Sequence, residues 1–232
     1  MMIKKEGSPQ PFGAYAEKDR VNFAVQVPKG QKCELLLYRA GRTTPEHTFE
    51  MPEEEGVGEV RYLSVEGKNI GRYEYNYRID KKVCMDPYVK EIAGKKAFGI
   101  RENLQEHEIR GRIVTSDYDW NGDKRMHIPW SDVIAYSLHV RGFTKHSSSK
   151  VRHKGTFLGV VEKIPYLKAL GINQIQCMPV YEFEECVNGH INYWGYGEGY
   201  YFAPKHSYAA GKSASVELKD MVRACHEAGI EV

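Results

Sequence analysis

The chain has 232 residues, of which 41% are hydrophobic and 28% charged, enough apolar content for a buried core and too ordinary a balance for extended disorder. Its 33 basic and 31 acidic residues leave a formal charge of +2, so no broad field draws phosphate backbones or anionic lipid, and nucleic-acid and membrane partners are not expected. No apolar run follows the basic start at Lys4-Lys5, and Cys33, Cys84, Cys177, Cys186 and Cys225 are scattered without a C-x-x-C pair; a cytoplasmic protein with reduced thiols, no metal site and no cofactor is the expectation.

The first part reads as β structure. Val21, Phe23, Val25 and Val27 share one face of an alternating run that Pro28-Lys29-Gly30 ends. Cys33 to Tyr38 reads as a mostly buried strand, Glu59 to Val65 alternates again, and Tyr73, Tyr75, Tyr77 and Ile79 share a face after Gly71. Short strands at this spacing predict a β-sandwich, immunoglobulin-like, over residues 1–110. Between about Lys90 and Pro129 the pattern weakens, and Asp119-Trp120-Asn121-Gly122-Asp123 is a turn signal; residues 111–131 form the predicted linker, expected to pack rather than float.

From Val133 the grammar becomes strand, helix, strand, helix, strand. Val133 to Val140 is a nearly continuous apolar run, as for a parallel strand covered on both faces. A helical stretch follows, with Thr156 as N-cap, apolar Leu158, Val161, Ile164, Leu167 and Leu170, and Gly171 as the stop; Pro165 starts the main helix after a short first turn. Ile172 to Val180 is the second strand, Ser215 to Ala228 the second helix, with Leu218, Met221, Val222 and Cys225 on one face, and Ile230-Glu231-Val232 opens a third strand. Two and a half β-α units over 132–232 fall short of the eight that close a barrel, so the sequence reads as the front of something longer.

The connection between the second strand and second helix runs to about 35 residues, far above the usual two to six. It holds Asn192-Tyr193-Trp194-Gly195-Tyr196-Gly197-Glu198-Gly199-Tyr200-Tyr201-Phe202-Ala203-Pro204. Two readings stand open on composition alone: a platform for a flat, partly apolar ligand, or a loop packing its own aromatics. Gly195-x-Gly197-x-Gly199 is no dinucleotide fingerprint, because neither a strand before it nor a helix after it adjoins directly.

The segment Asn192 to Tyr196, followed by Tyr201-Phe202-Ala203-Pro204 and Tyr208-Ala209, resembles the segment after the second barrel strand of isoamylase-type and pullulanase-type debranching enzymes of the α-amylase superfamily, glycoside hydrolase family 13. Gly7 to Ala14 with Val21 to Val25 is similar to the opening of that family's glycogen-binding-type sandwich. Asp86-Pro87-Tyr88 resembles the sandwich's closing motif, Trp130 to Thr144 the first barrel strand, and Gly155 to Ile172 the helix after it. The resemblance implies a (β/α)8 TIM barrel, an α-glucan substrate such as glycogen, starch or pullulan, and retaining hydrolysis of α-1,6 branch linkages by two carboxylates. It also implies that those carboxylates sit on later strands, so none of these 232 residues is assigned a catalytic role and the chain alone is expected to be inactive. By motif position Tyr196 would stack on the sugar ring at the cleavage subsite; Trp194 and Asn192 stand beside it as substrate-loop residues that shape the turn. Gly197 departs from the pullulanase pattern, where Asp is usual.

Other polar residues are read plainly. His139 and Arg141 end the first strand as structural hydrogen-bonders, His146, His153, His190 and His206 lack metal-ligand spacing, and Glu182, Glu184 and Glu185 form a solvated acidic run. The competing functional reading is a non-catalytic α-glucan-binding protein acting through the sandwich.

Overall fold

Alternation along a strand writes itself into the first unit as a core. The computed structural model describes residues 2–93, 97–99, 109–115, 118–211 and 213–232, and the chain divides into two compact units. One comprises Met1–Lys95, Glu102–Ser116 and Tyr200–Ala203; the other comprises Lys96–Arg101, Asp117–Gly199 and Pro204–Val232.

The first unit contains β1 (Ile3–Lys5), β2 (Gly13–Glu17), β3 (Arg20–Gln26), β4 (Cys33–Arg39), β5 (His47–Glu50), β6 (Val60–Glu66), β7 (Tyr73–Ile79), β8 (Lys82–Cys84), β9 (Ile92–Ala93) and β10 (Arg110–Arg112). Among the described residues they make two antiparallel sheets, ordered β1-β6-β3-β2 and β5-β4-β7-β10-β9, with β8 on β7. Val21, Phe23, Val25, Leu63 and Val65 from the first sheet bury against Leu35, Leu37, Tyr75 and Tyr77 from the second, which is the β-sandwich expected from the sequence. Each of the Val, Leu and Phe side chains contributes about 1.5–3 kcal/mol of apolar burial.

From Leu35 to Tyr38 β4 is continuously apolar, because the sheet's other face is buried too. Leu36, Tyr38 and Asn76 are all covered; the Arg110 guanidinium lies 3.9 Å over the Tyr38 ring, and Asn76 Nδ2 donates to the Ile109 carbonyl at 3.0 Å. The weak-pattern stretch therefore contains a strand, β10, paired to β7. Its centre is Gly111, where a Cβ would lie 2.6 Å from the Tyr75 ring.

Asp86 is fully buried and accepts from the Tyr75 hydroxyl and the Tyr88 N–H, both at 2.8 Å. Burial pushes its carboxyl up to about 6, the hydrogen bonds only partly opposing it. A raised folded-state value stabilises below the unfolded value of 3.8 and is lost as pH rises through about 6. Relative to Asp86→Asn, the wild-type first unit is therefore expected to gain on the order of 2 kcal/mol between pH 7 and pH 4. Denaturant titrations of both proteins at the two pH values check this, and parallel pH profiles would refute it.

The second unit contains β11 (Ala135–Leu138), α1 (Val140–Lys145), α2 (Phe157–Glu162), α3 (Ile164–Ala169), β12 (Gln174–Cys177), β13 (Tyr181–Phe183), β14 (Cys186–Val187), β15 (His190–Ile191) and α4 (Ala214–Glu227), with β16 (Gly199–Pro204) shared between the units along the chain. β11 and β12 run parallel from Ala135 opposite Gln174 to Leu138 opposite Cys177. Glu231 adds a third parallel neighbour, accepting from Ile175 N at 2.7 Å and donating to Asn173 O at 2.9 Å. Leu138, Phe157, Val160, Leu167, Ile175, Met221 and Cys225 share one core.

The first of these strands is shorter than its apolar run, and Ile134, Ala135 and Ser137 are exposed, so it is not covered on both faces. It stops because the His139 side chain accepts from Gly142 N and caps α1. Thr156 caps α2 by accepting from Gly159 N, and Pro165 sits in the first turn of α3, both as the sequence predicts. Leu170, read as a core position, is exposed. The segment around Asp119 packs: Tyr118 donates to Asp220 at 2.7 Å and His226 meets Asp123 at 2.7 Å. Among the described residues no helix is long and apolar enough to cross a membrane.

Candidate functional site

The long connection leaves β12 at the strand's C-terminal end, and inside the second unit its two arms are tied near the base. Lys205 N donates to Val180 O at 2.7 Å, and Glu184 N to Glu198 O at 3.4 Å. Between them β14 and β15 form a hairpin whose Asn188 and Gly189 take φ of 51° and 80°. Two successive left-handed residues are the signature of a turn that matches strand twist. Next comes the aromatic turn, organised by Asn192. Its Nδ2 donates to Glu184 O at 3.2 Å and Tyr196 O at 3.1 Å, its Oδ1 accepts from Gly195 N at 3.1 Å, and its own N–H donates to Glu185 O at 2.8 Å. Tyr181 adds a hydroxyl donated to Gly195 O at 3.0 Å and Gly197 O at 3.2 Å.

His139 supports the turn from β11. Nδ1 accepts from Gly142 N at 2.9 Å, so the proton resides on Nε2, which donates to Tyr193 O at 2.7 Å. Burial is the main reason its pKa falls below the ordinary imidazole value, so the ring is neutral. It stacks on Tyr193 with centroids 4.6 Å apart and meets Trp194 edge-on at 6.0 Å. A Cβ at Gly142 would stand 2.6 Å from the Tyr193 hydroxyl, so a side chain there would push that ring. With its backbone held this way, the turn leaves Tyr196 at 66% and Trp194 at 55% of full exposure. Large aromatic faces so exposed over a fixed backbone suit a ligand with flat apolar faces and hydroxyl edges.

Behind the turn lies what the sequence hides. Glu182 and Glu185 are buried, not solvated. The fully buried Lys205 ammonium contacts Glu182 Oε1 at 2.6 Å and Glu185 Oε1 at 2.5 Å and donates to Phe183 O at 3.0 Å. His206 N gives Glu182 Oε2 a further bond at 2.7 Å, Ser207 Oγ gives Glu185 one at 3.1 Å, and Gly99 N donates to Glu185 Oε2. With these partners both carboxylates are committed within the fold. Phe98 packs edge-on against Phe183 and Tyr193 and stacks with Tyr208, under the Arg141 guanidinium at 4.4 Å. Phe98 and Lys205 could not be read as parts of this site from sequence; each lies in a stretch without periodicity, and only the fold brings them beside Tyr208, whose motif position the sequence does show. Among the described residues no cluster of three His, Cys, Asp or Glu could hold a metal ion.

The chain thus joins an antiparallel sandwich to a parallel β-α segment that bears an aromatic loop. No family model matches the chain. It is 34% identical to isoamylase 1, chloroplastic, of Oryza sativa subsp. japonica over 97% of its own length and 32% of the relative's. It is 31% identical to the glycogen operon protein GlgX homolog of Haemophilus influenzae over 99% and 38%. In fold it matches a pullulanase from Paenibacillus barengoltzii with a TM-score of 0.77 at 23% identity, covering 95% of this chain and 36% of that one. The chain is thus related in sequence to isoamylases and glycogen-debranching proteins and similar in fold to a pullulanase, and it spans about a third of the length of the relatives it matches.

Proposed function

We propose that the chain is the N-terminal portion of an α-glucan debranching glycoside hydrolase, cleaving α-1,6 branch linkages in glycogen-type or starch-type polymers, with the aromatic turn as its sugar-stacking platform. In this reading the sandwich, which β10 carries through Arg112, is a glucan-binding-type module, the residues after it connect, and 132–232 are the first β-α units of the catalytic barrel. The paired carboxylates of a retaining mechanism then belong to the portion of the relatives that the chain does not cover. Tyr196 stacks on the sugar ring, Trp194 extends the apolar face, and Asn192 fixes the turn that presents both.

The observation that carries the reading is the exposed Tyr196 ring above a backbone pinned by Asn192 and Tyr181. Stacking needs the ring and not its hydroxyl. Tyr196→Ala is therefore expected to weaken maltotetraose binding at least tenfold, about 1.4 kcal/mol or more, while Tyr196→Phe stays within threefold. Isothermal titration measures both. Equal affinity of the wild type and the Ala variant would remove the platform from the proposal.

A further inference from the structure

We propose that Lys205 is a positioning residue for the aromatic turn, acting as a clamp at the neck of the loop. The inference rests on the reading of that turn as the glucan platform. The ammonium has three N–H donors and three acceptors: Glu182 Oε1, Glu185 Oε1 and Phe183 O, all within 3.0 Å. Residues 182–185 lie on the arm leaving β12 and Lys205 on the returning arm, so one buried cation closes the base of everything between 186 and 204.

Two routes run from the clamp to Tyr196. The segment it grips supplies both carbonyls that hold Asn192, Glu185 O and Glu184 O, and Asn192 in turn bonds Tyr196 O. The ammonium also sits 4.2 Å over the ring of Phe183, and that ring backs Gly195, the residue before Tyr196; a Cβ there would fall 2.4 Å from it.

Replacing a buried ion cluster by apolar groups of the same volume is often neutral or stabilising, so the role assigned to this one is direction and register rather than net stability. Here its direction runs across the neck. The bond from His206 N to Glu182 Oε2 and that from Ser207 Oγ to Glu185 Oε1 cross the same gap, so both carboxylates reach the returning arm twice.

The test compares Lys205→Met, Lys205→Arg and the triple variant Lys205→Met/Glu182→Gln/Glu185→Gln, which removes the uncompensated carboxylates. Hydrogen exchange of residues 186–199 is read against that of α4, alongside titration with maltotetraose. Lys205→Met is expected to speed exchange in 186–199 at least tenfold with α4 unchanged, and to weaken maltotetraose binding to a similar degree. Lys205→Arg recovers part of both. The triple variant regains thermal stability without regaining loop protection, and it carries the test if the single variant does not fold. Exchange in 186–199 within twofold of wild type, or a triple variant that restores protection together with stability, overturns the clamp. Should the wild-type chain not bind maltotetraose, the platform reading fails while the exchange comparison still decides the role of Lys205.

Discussion

Gly195→Ala is expected to abolish the presentation of Tyr196 while leaving most of the second unit folded. Two effects add. The residue sits at φ +83°, where an L side chain costs about 1–2 kcal/mol. Its Cβ would lie 2.4, 2.6 and 2.9 Å from three atoms of the Phe183 ring, and overpacking of that kind costs about 1–3 kcal/mol. The ring cannot swing aside. It is fully buried, with Tyr181, Tyr208 and Phe98 edge-on at 6.3, 6.4 and 6.3 Å and the Lys205 ammonium at 4.2 Å. The turn is the softer partner and moves instead, breaking the bonds from Gly195 N to Asn192 and from Tyr181 to Gly195 O. Maltotetraose affinity should fall at least tenfold. Gly197→Ala isolates the backbone effect: a Cβ there meets nothing within 4 Å, so only the strain of φ +124°, a region nearly closed to L side chains, acts. A Gly195→Ala loss no larger than about 1–2 kcal/mol, the left-handed strain alone, would remove the Phe183 contact from the explanation.

That pair also shows why the sequence could announce the turn but not its construction. The aromatic and glycine density of residues 192–204 is local, and so is the alternation that places Val21, Phe23 and Val25 in the sandwich core. Thr156 as a cap and Pro165 at a helix start follow from single residues and their immediate neighbours. What stayed hidden depends on partners far along the chain. Glu182, Glu184 and Glu185 form an acidic run that reads as solvated, and only the return of the chain at Lys205 turns two of them into a buried ion cluster. Phe98 comes from a stretch with no periodicity, yet it touches Phe183, Tyr193 and Tyr208. β10 hides for a related reason: its central Gly111 makes room for the Tyr75 ring, so the strand carries no alternation to read. The His139 cap is a third case, since an apolar run through Val140 predicts strand while the imidazole starts a helix there.

Gly159→Ala is a case where helix propensity and packing pull in opposite directions. Gly159 lies in the interior of α2, where alanine ordinarily stabilises by about 0.5–1 kcal/mol through reduced backbone freedom in the unfolded chain. Against this, its Cβ would stand 2.2 Å from the His153 carbonyl oxygen and 2.8 Å from Thr144 Oγ1. The carbonyl belongs to backbone that has no room to yield. The Glu162 carboxylate accepts from Arg152 N at 2.8 Å and His153 N at 2.9 Å, bonds that hold its pKa below the usual range, and Thr156 Oγ1 donates to His153 O at 2.8 Å. Thr144 is committed as well, its hydroxyl oxygen accepting from Gly155 N at 2.8 Å. Relief therefore means displacing α2 from the core it shares with α4 through Phe157 and Val160. The packing cost should win by about 1–3 kcal/mol, seen as a drop of several degrees in the melting temperature of the second unit. Glu162→Gln in the same background tests the reason: if the 152–153 backbone is what resists, loosening its anchor should recover part of the loss. A stabilised alanine variant would mean that the loop carrying His153 yields freely and that the Glu162 anchor does not constrain α2.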